Sequence, residues 1–123
     1  MIGALIDVHR TLGPGLLESA YEACFCHELY LRDLRFERQV AVPLRYKDTV
    51  MDCGYRMDVV VEGRIIVELK AIEALTNVHA AQVFTYMRLS GVPVGILANF
   101  NVTALRNGLR RYDLPAKPLA PRP

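Results

Sequence analysis

Two short apolar segments joined by Glu62-Gly63-Arg64 constrain the fold of this chain more than any other feature. Residues 55–61 and 65–71 are rich in valine and isoleucine, and Glu62, Gly63 and Arg64 lie between them. Apolar segments of this length, separated by a glycine-containing turn, are typical of a β-hairpin. The chain is therefore expected to contain a sheet built around these two strands.

The segments on either side of the hairpin predict helices that flank the sheet. Helical spacing or strand-like alternation of apolar residues predicts helices over 2–11, 16–32, 77–90 and 103–111, and strands over 36–47 and 92–100. Thr76 is suited to begin the third helix and Gly91 to end it. This order predicts an α/β fold with a mixed central sheet of about four strands.

Length and composition predict one globular domain. The chain has 123 residues, of which 52% are hydrophobic and 23% are charged, so it can bury a substantial core. The domain is expected to span residues 1–112. The remainder, residues 113–123, is rich in proline and is expected to be a mobile tail.

The sequence predicts a soluble, cytoplasmic protein. Asp7 interrupts the N-terminal apolar segment too early for a signal peptide, and no apolar run approaches the ~20 residues of a membrane span. Cys24, Cys26 and Cys53 lack zinc-ligand spacing and are expected to be reduced thiols. A net charge of +2 permits nucleic acid as a partner but does not by itself indicate one.

Three ionisable residues interrupt the apolar strands of the hairpin. Asp58 lies in the first strand, and Glu68 and Lys70 lie in the second. Directly opposed residues of an antiparallel pair share a face, and a three-residue loop would set Asp58 opposite Glu68. A two-residue loop would instead set Asp58 opposite Val67, on the wrong face. Convergence of the two carboxylates therefore depends on the length of the loop.

If these residues converge, they can support phosphodiester hydrolysis. Two close carboxylates repel each other, and a hard cation such as Mg²⁺ relieves that repulsion. Lys70 could then orient the attacking water or stabilise charge on the phosphate. The alternative is a structural Glu68–Lys70 pair on a strand face, with Asp58 solvated.

The helix over 77–90 carries a second group of polar side chains. His79, Gln82 and Tyr86 follow one another at spacings of three and four residues, so they share a face. Gln82 could orient a phosphate, and Tyr86 could pack under the site or stack on a base. The alternative is an ordinary amphipathic face.

Together these motifs resemble a known group of nucleases. Asp58, then Glu68-Leu69-Lys70, then Gln82-x-x-x-Tyr86, is similar to the core of the PD-(D/E)XK nuclease superfamily, in its Gln-x-x-x-Tyr branch. Residues 15–21 resemble the Gly-x-x-Glu-x-x-Tyr pattern of the bacterial GxxExxY family within that superfamily. The resemblance covers about residues 2–111. One departure is Met57, which precedes Asp58 where the superfamily's name has proline.

The resemblance implies a three-layer nuclease fold and a role for each motif residue. Asp58, Glu68 and Glu18 would be metal ligands together with the carbonyl of Leu69, and Lys70 would be the catalytic lysine. The implied activity is hydrolysis of phosphodiester bonds with Mg²⁺ or Mn²⁺, with DNA as the expected substrate. The alternative is a non-catalytic module of the same fold that binds nucleic acid or a protein partner. Partly exposed strands also suggest a homodimer.

Overall fold

The computed structural model describes residues 1–115, in which two helices precede five strands and a third helix is followed by two more strands. The helices are α1 (Ile2–Leu12), α2 (Glu18–Leu31) and α3 (Asn77–Ser90). The strands are β1 (Phe36–Ala41), β2 (Leu44–Tyr46), β3 (Thr49–Met51), β4 (Arg56–Val61), β5 (Ile65–Lys70), β6 (Val94–Asn99) and β7 (Leu109–Asp113). A 3-10 turn, Leu105–Gly108, precedes β7.

Five of the strands form one mixed sheet in the order β1-β4-β5-β6-β7. Strands β5 and β6 are parallel because α3 carries the chain back across the sheet, and the other neighbouring pairs are antiparallel. The predicted α/β class with a mixed central sheet is therefore confirmed. The sheet has five strands rather than about four.

Helices cover both faces of this sheet, which gives the predicted three layers. Alternate residues of the central strands pack on α1 and α2 in one hydrophobic cluster, which includes Val59, Val61, Val67, Leu69, Ile96 and Ala98. The other face packs on α3, through Val60, Ile66, Leu97, Val83 and Met87. Burial on both faces explains why β5 and β6 read as nearly continuous apolar runs.

The extra strand replaces a helix that the sequence predicted over residues 103–111. That prediction is wrong, because residues 109–113 pair with β6 and cover the edge of the sheet. Leu109 packs on the α1–α2 side and Tyr112 on the α3 side, which is the alternation of a strand. Tertiary pairing has overridden the local helical spacing.

The strand predicted over residues 36–47 is interrupted. Val42 and Pro43 separate β1 from β2, and proline has no N–H group to give to a ladder. The N–H of Val42 donates to the carbonyl of Tyr55 (2.9 Å), whereas β2 leaves the main sheet and pairs with β3 alone. This small hairpin projects next to the N-terminal end of β4.

The helices bury one face each. In α2, Tyr21, Phe25 and Leu29 are buried, whereas Leu17, just before the helix, is 77% exposed. No helix within residues 1–115 has the length and apolar character needed to cross a bilayer.

The predicted boundary at residue 112 falls inside β7, which ends at Asp113. The N–H of Leu114 donates to the carbonyl of Pro93 (2.9 Å). Residues 116–123, which include most of the predicted tail, lie outside the described residues, and the domain boundary stays a prediction.

Candidate active site

The turn between β4 and β5 has the length that convergence of the carboxylates requires. Three residues, Glu62 to Arg64, separate the strands, and Val59 pairs with Val67. Continued by one residue, this register sets Asp58 opposite Glu68. The structure thus brings the two carboxyl groups together as the three-residue loop predicted.

The two strands part where the acidic residues begin. The backbone ladder between β4 and β5 ends at Val59 and Val67, although β4 starts at Arg56 and β5 continues to Lys70. Beyond that point each strand remains paired with its other neighbour, β1 or β6. A gap therefore opens between two strands that are otherwise held in the sheet.

Carboxyl groups bridge this gap through backbone amides. The N–H of Leu69 donates to Oδ2 of Asp58 (2.9 Å), and the N–H of Asp58 donates to Oε1 of Glu68 (3.1 Å). The N–H and carbonyl of a strand residue point to the same neighbouring strand, so the Leu69 carbonyl faces the side on which Asp58 lies. Three oxygen-bearing groups border the gap.

Glu68 is the most perturbed acid of the site. Its side chain is 3% exposed, and burial is the main reason that its pKa rises from 4.5 to about 9. The negative charge of Asp58 and a hydrogen bond between the two carboxyl groups raise the pKa further, whereas Lys70 lowers it. Glu68 therefore carries a proton at neutral pH, which relieves the repulsion between the carboxylates.

Lys70 ends β5 beside this acidic pair. Its side chain is half-buried and lines a cleft between α3 and the start of β4. Among residues 1–115 it forms no ion pair within 4.0 Å. Its ammonium group is thus close enough to lower the pKa of Glu68 but is not bound to a carboxylate.

Two of the three polar residues of α3 lie beside the acidic pair. The Nε2 group of Gln82 donates to the hydroxyl of Tyr86 (3.0 Å). Tyr86 is 5% exposed, and its pKa is raised by burial first and then by the negative charge of Glu68. Tyr86 therefore packs against the acidic pair from the α3 side, and the hydrogen bond from Gln82 holds the Tyr86 hydroxyl in place.

His79 has a structural role that the sequence did not predict. Its Nδ1 atom accepts a hydrogen bond from the N–H of Thr76 (2.9 Å), which begins α3. That bond leaves Nε2 as the protonated nitrogen of the neutral ring. The ring borders the same cleft as Lys70.

Glu18 lies at the end of β5, apart from the acidic pair. Its carboxylate accepts a hydrogen bond from the N–H of Ala71 (3.0 Å), the residue after Lys70. Glu18, which the resemblance implies as a metal ligand, is exposed. Within residues 1–115, no three or more His, Cys, Asp or Glu side chains are grouped closely enough to hold a metal ion.

The buried acid of α2 is instead Glu22, one turn later. It is 8% exposed and accepts hydrogen bonds from Arg38 (2.9 Å) and Gln39 (2.7 Å). Gln39 has a φ of 50° and lies opposite Asp58 in the register of β1 and β4. The sequence alone did not indicate this contact, because Arg38 and Gln39 lie 16 and 17 positions away from Glu22.

Asn99 is a second residue that the sequence analysis missed. It is buried and pairs with Lys70 across β5 and β6. Its Oδ1 atom accepts the N–H of Ile72 (3.1 Å), and its Nδ2 group donates to the carbonyl of Ile72 (3.0 Å). Asn99 thereby holds the chain directly after Lys70. A single amide in an otherwise apolar strand marks Asn99 as unusual, but its partner, 27 positions away, could not be inferred from the sequence.

Comparison with known proteins agrees with this arrangement. The family model of the PD-(D/E)XK nuclease superfamily matches residues 1–112, which include every site residue discussed above. Neither the curated proteins nor the solved structures contain a significant match to the chain.

Proposed function

The chain belongs to the PD-(D/E)XK nuclease superfamily, and on that premise we propose that it is a nuclease that hydrolyses phosphodiester bonds of DNA with a divalent cation. The observation that carries the proposal is the gap between β4 and β5. Asp58, Glu68 and the Leu69 carbonyl border that gap, and Lys70 stands next to it. Metal dependence and DNA as the substrate are parts of this proposal.

The donor groups at the gap fit Mg²⁺. This ion prefers oxygen ligands and is usually held by one or two carboxylates, with water and substrate phosphate completing its shell. Asp58 and Glu68 supply two carboxylates and Leu69 a backbone carbonyl, so a larger protein cage is not needed. Mn²⁺ accepts the same oxygen ligands. The proton of Glu68 must leave when both carboxylates bind a cation.

The side chains of the chain itself then have distinct tasks. Lys70 carries three N–H donors and no acceptor, so its ammonium group is suited to bind a phosphate oxygen and stabilise charge that develops there. Tyr86 and Gln82 hold the α3 side of the site in place. A bound divalent cation would activate the attacking water and polarise the phosphoryl group.

We further propose that the chain belongs to the GxxExxY branch, with Glu18 as an additional acid of the site. Glu18 is exposed, and it is bound to the amide next to Lys70. From that place its carboxylate could bind the cation through a water molecule. Gly15 and Tyr21 supply the other two positions of the pattern, and the Tyr21 hydroxyl donates to the carbonyl of Gly13 (2.6 Å).

We also propose that the chain forms a homodimer and is located in the cytoplasm. The β2–β3 hairpin exposes Tyr46, Val50 and Met51 at 60%, 56% and 42%, which makes it the surface that a second copy would cover. The edges of the main sheet fit this role less well, because β7 exposes Arg110 and Arg111. Sedimentation velocity would contradict the dimer if the chain stayed monomeric at high concentration.

Cleavage assays with matched variants test the nuclease proposal. Purified chain is incubated with single- and double-stranded DNA and RNA in Mg²⁺, Mn²⁺ or EDTA. We expect metal-dependent cleavage that falls at least ~100-fold in Lys70→Ala and Asp58→Asn. The controls Lys47→Ala and Asp33→Asn change exposed residues of the same types away from the gap and should retain activity.

The same assay distinguishes the alternative function. If the wild-type chain binds nucleic acid but does not cut it under any of these conditions, the chain is a non-catalytic binding module. Cleavage that survives in EDTA, or in both site variants, would contradict the proposed mechanism.

A further inference from the structure

An open cleft of about 630 Å³ begins at Lys70 and runs between α3 and the start of β4. Tyr55 and Leu44 form one wall, and residues of α3 form the other. Because Lys70 belongs both to the acidic site and to the cleft, a molecule bound in the cleft lies next to the phosphate that Lys70 would hold.

The lining of this cleft suits a flat, uncharged ring. Lys70 is the one charged side chain among the described residues that border it. Of the other nine, two are tyrosines and four are aliphatic, namely Leu44, Val78, Ala81 and Leu89. A second phosphate would find no cation there. The backbone of a nucleic acid would therefore pass Lys70, and a base rather than a phosphate would enter the cleft.

Tyr55 provides a surface on which such a ring can stack. It is 45% exposed, whereas Tyr86 beneath it is 5% exposed. The two ring centroids lie 6.2 Å apart at an interplanar angle of 57°, so Tyr86 supports Tyr55 and leaves its outer face open. Tyr55, which lies outside the recognisable sequence motifs, is accordingly the exposed aromatic ring that the cleft offers to a ligand.

Polar groups at the rim can contact the edge of a base. The Nδ1 atom of His79 is bound to Thr76, so its Nε2–H group is the donor left for a ligand. Gln82 uses its amide nitrogen on Tyr86, which leaves its carbonyl oxygen as an acceptor. A donor and an acceptor beside an aromatic surface are the groups with which proteins hold unpaired bases.

We propose that this cleft binds one unpaired nucleobase, stacked on Tyr55, from the nucleotide next to the bond that is cut. This inference rests on the proposed function and specifies its substrate as nucleic acid that is single-stranded at the cleavage position. A duplex would have to expose the base first, and base pairing and stacking oppose this.

Fluorescence of 2-aminopurine tests the proposal independently of catalysis. A single-stranded DNA oligonucleotide with one 2-aminopurine, and its duplex form, are titrated with wild-type chain in EDTA. We expect the fluorescence to change on stacking in the single strand, and binding to weaken about 10-fold or more in Tyr55→Ala. Tyr55→Phe keeps the ring and should bind like wild type.

Tyr30→Ala is the matched control, because Tyr30 is also an exposed tyrosine but does not line the cleft. Equal affinity of Tyr55→Ala and Tyr30→Ala, or equal affinity of wild type for single strand and duplex, would overturn the inference. The outcome does not depend on turnover. If Tyr55-dependent stacking occurs without any metal-dependent cleavage, the base-binding cleft is supported and the nuclease proposal fails. If the chain cleaves nucleic acid but its binding does not depend on Tyr55, the nuclease proposal is supported and the base-binding cleft fails.

Discussion

At the scale of single residues, the state of Glu68 links the stability of the chain to pH. Burial and the neighbouring Asp58 raise its pKa from 4.5 to about 9 in the folded chain. Between these values the folded chain holds one proton more than the unfolded chain. The stabilisation is fully present below pH 4.5 and is lost as the pH rises toward 9.

Replacing Glu68 by glutamine should remove the part of the pH dependence of stability that comes from this residue. The amide has nearly the same shape, can still accept the N–H of Asp58 and cannot ionise. In the wild type the free energy of unfolding in EDTA should fall with pH by at most about 1.4 kcal/mol per unit. Glu68→Gln should reduce that slope and be the more stable protein at pH 9. Urea denaturation between pH 5 and 9 measures both quantities.

Glu37→Gln is the control for this substitution, since Glu37 is an exposed carboxylate of β1. It should leave the pH dependence unchanged. The same slope in Glu68→Gln as in the wild type would show that Glu68 is not the group that titrates.

Other residues support the site without bearing on its chemistry directly. Glu22 is held by Arg38 and Gln39, and Gln39 lies opposite Asp58 with a φ of 50°. Such a conformation costs free energy in a residue other than glycine. The hydrogen bond to Glu22 helps to hold Gln39 in this conformation. The irregular pairing of β1 with β4 opposite Asp58 therefore depends on a contact between α2 and β1.

At the scale of elements, the turn between β4 and β5 decides whether a site exists. Its three residues give the register that sets Asp58 opposite Glu68. Deleting Val60 while the three-residue loop is kept leaves Val61 opposite Ile65 but moves Asp58 opposite Val67, unless a bulge forms. We therefore expect the deletion to abolish cleavage and to destabilise the chain.

Insertion of two glycines in the same loop is the matched experiment. It lengthens the loop without changing the pairing, and the closure entropy of a longer loop grows slowly. The insertion should retain most of the activity and most of the stability. Activity and urea denaturation of the two variants give the comparison. An active deletion variant would mean that the register does not control the site.

Elements whose signals are local could be predicted from the sequence. Helix α3 begins after Thr76 and ends before Gly91, as expected, because the glycine can adopt the left-handed conformation with a φ of 77°. The β4–β5 hairpin followed from its apolar strands and its turn. In the site, the sequence made the convergence of Asp58 and Glu68 depend on a three-residue loop and left a two-residue loop open; the structure has the three-residue loop.

Features that depend on distant parts of the chain could not be predicted. Strand β7 forms because β6 offers it an edge, although the segment has the spacing of a helix. The contact of Glu22 with Arg38 and Gln39, and that of Asn99 with Ile72, join residues that are 16, 17 and 27 positions apart. The place of Tyr55 at the cleft likewise depends on how α3 packs against the sheet.

At the scale of the whole molecule, charge contributes little to binding. The chain has 15 basic and 13 acidic residues and a net charge of +2. Strongly basic proteins gain most of their affinity for nucleic acid from phosphate contacts and counterion release. On the proposed function, affinity for nucleic acid comes from a few contacts at the gap and the cleft and from a bound cation, so cation binding should change the stability of the whole domain.

Stabilisation of the domain by Mg²⁺ should therefore increase with pH. A cation bound by both carboxylates displaces the proton of Glu68, whose pKa is about 9. Below that value the apparent affinity should rise by up to about tenfold per pH unit, and a ligand that binds the folded chain raises its Tm accordingly. Thermal unfolding at pH 6, 7 and 8, with one fixed concentration of Mg²⁺ or with EDTA, measures the shift.

Two variants separate the causes of this effect. Asp58→Asn loses a ligand and should show little stabilisation by Mg²⁺ at any pH. Glu68→Gln has no proton to displace, so any stabilisation that remains should be the same at pH 6 and pH 8. An equal Tm shift at all three pH values in the wild type would mean that Mg²⁺ binds without removing the Glu68 proton. If unfolding in EDTA shows that Glu68 titrates near pH 9, this result means that Asp58 holds the ion without Glu68 and that the two-carboxylate site is wrong. If unfolding in EDTA shows no such titration, Glu68 is already ionised in the metal-free chain.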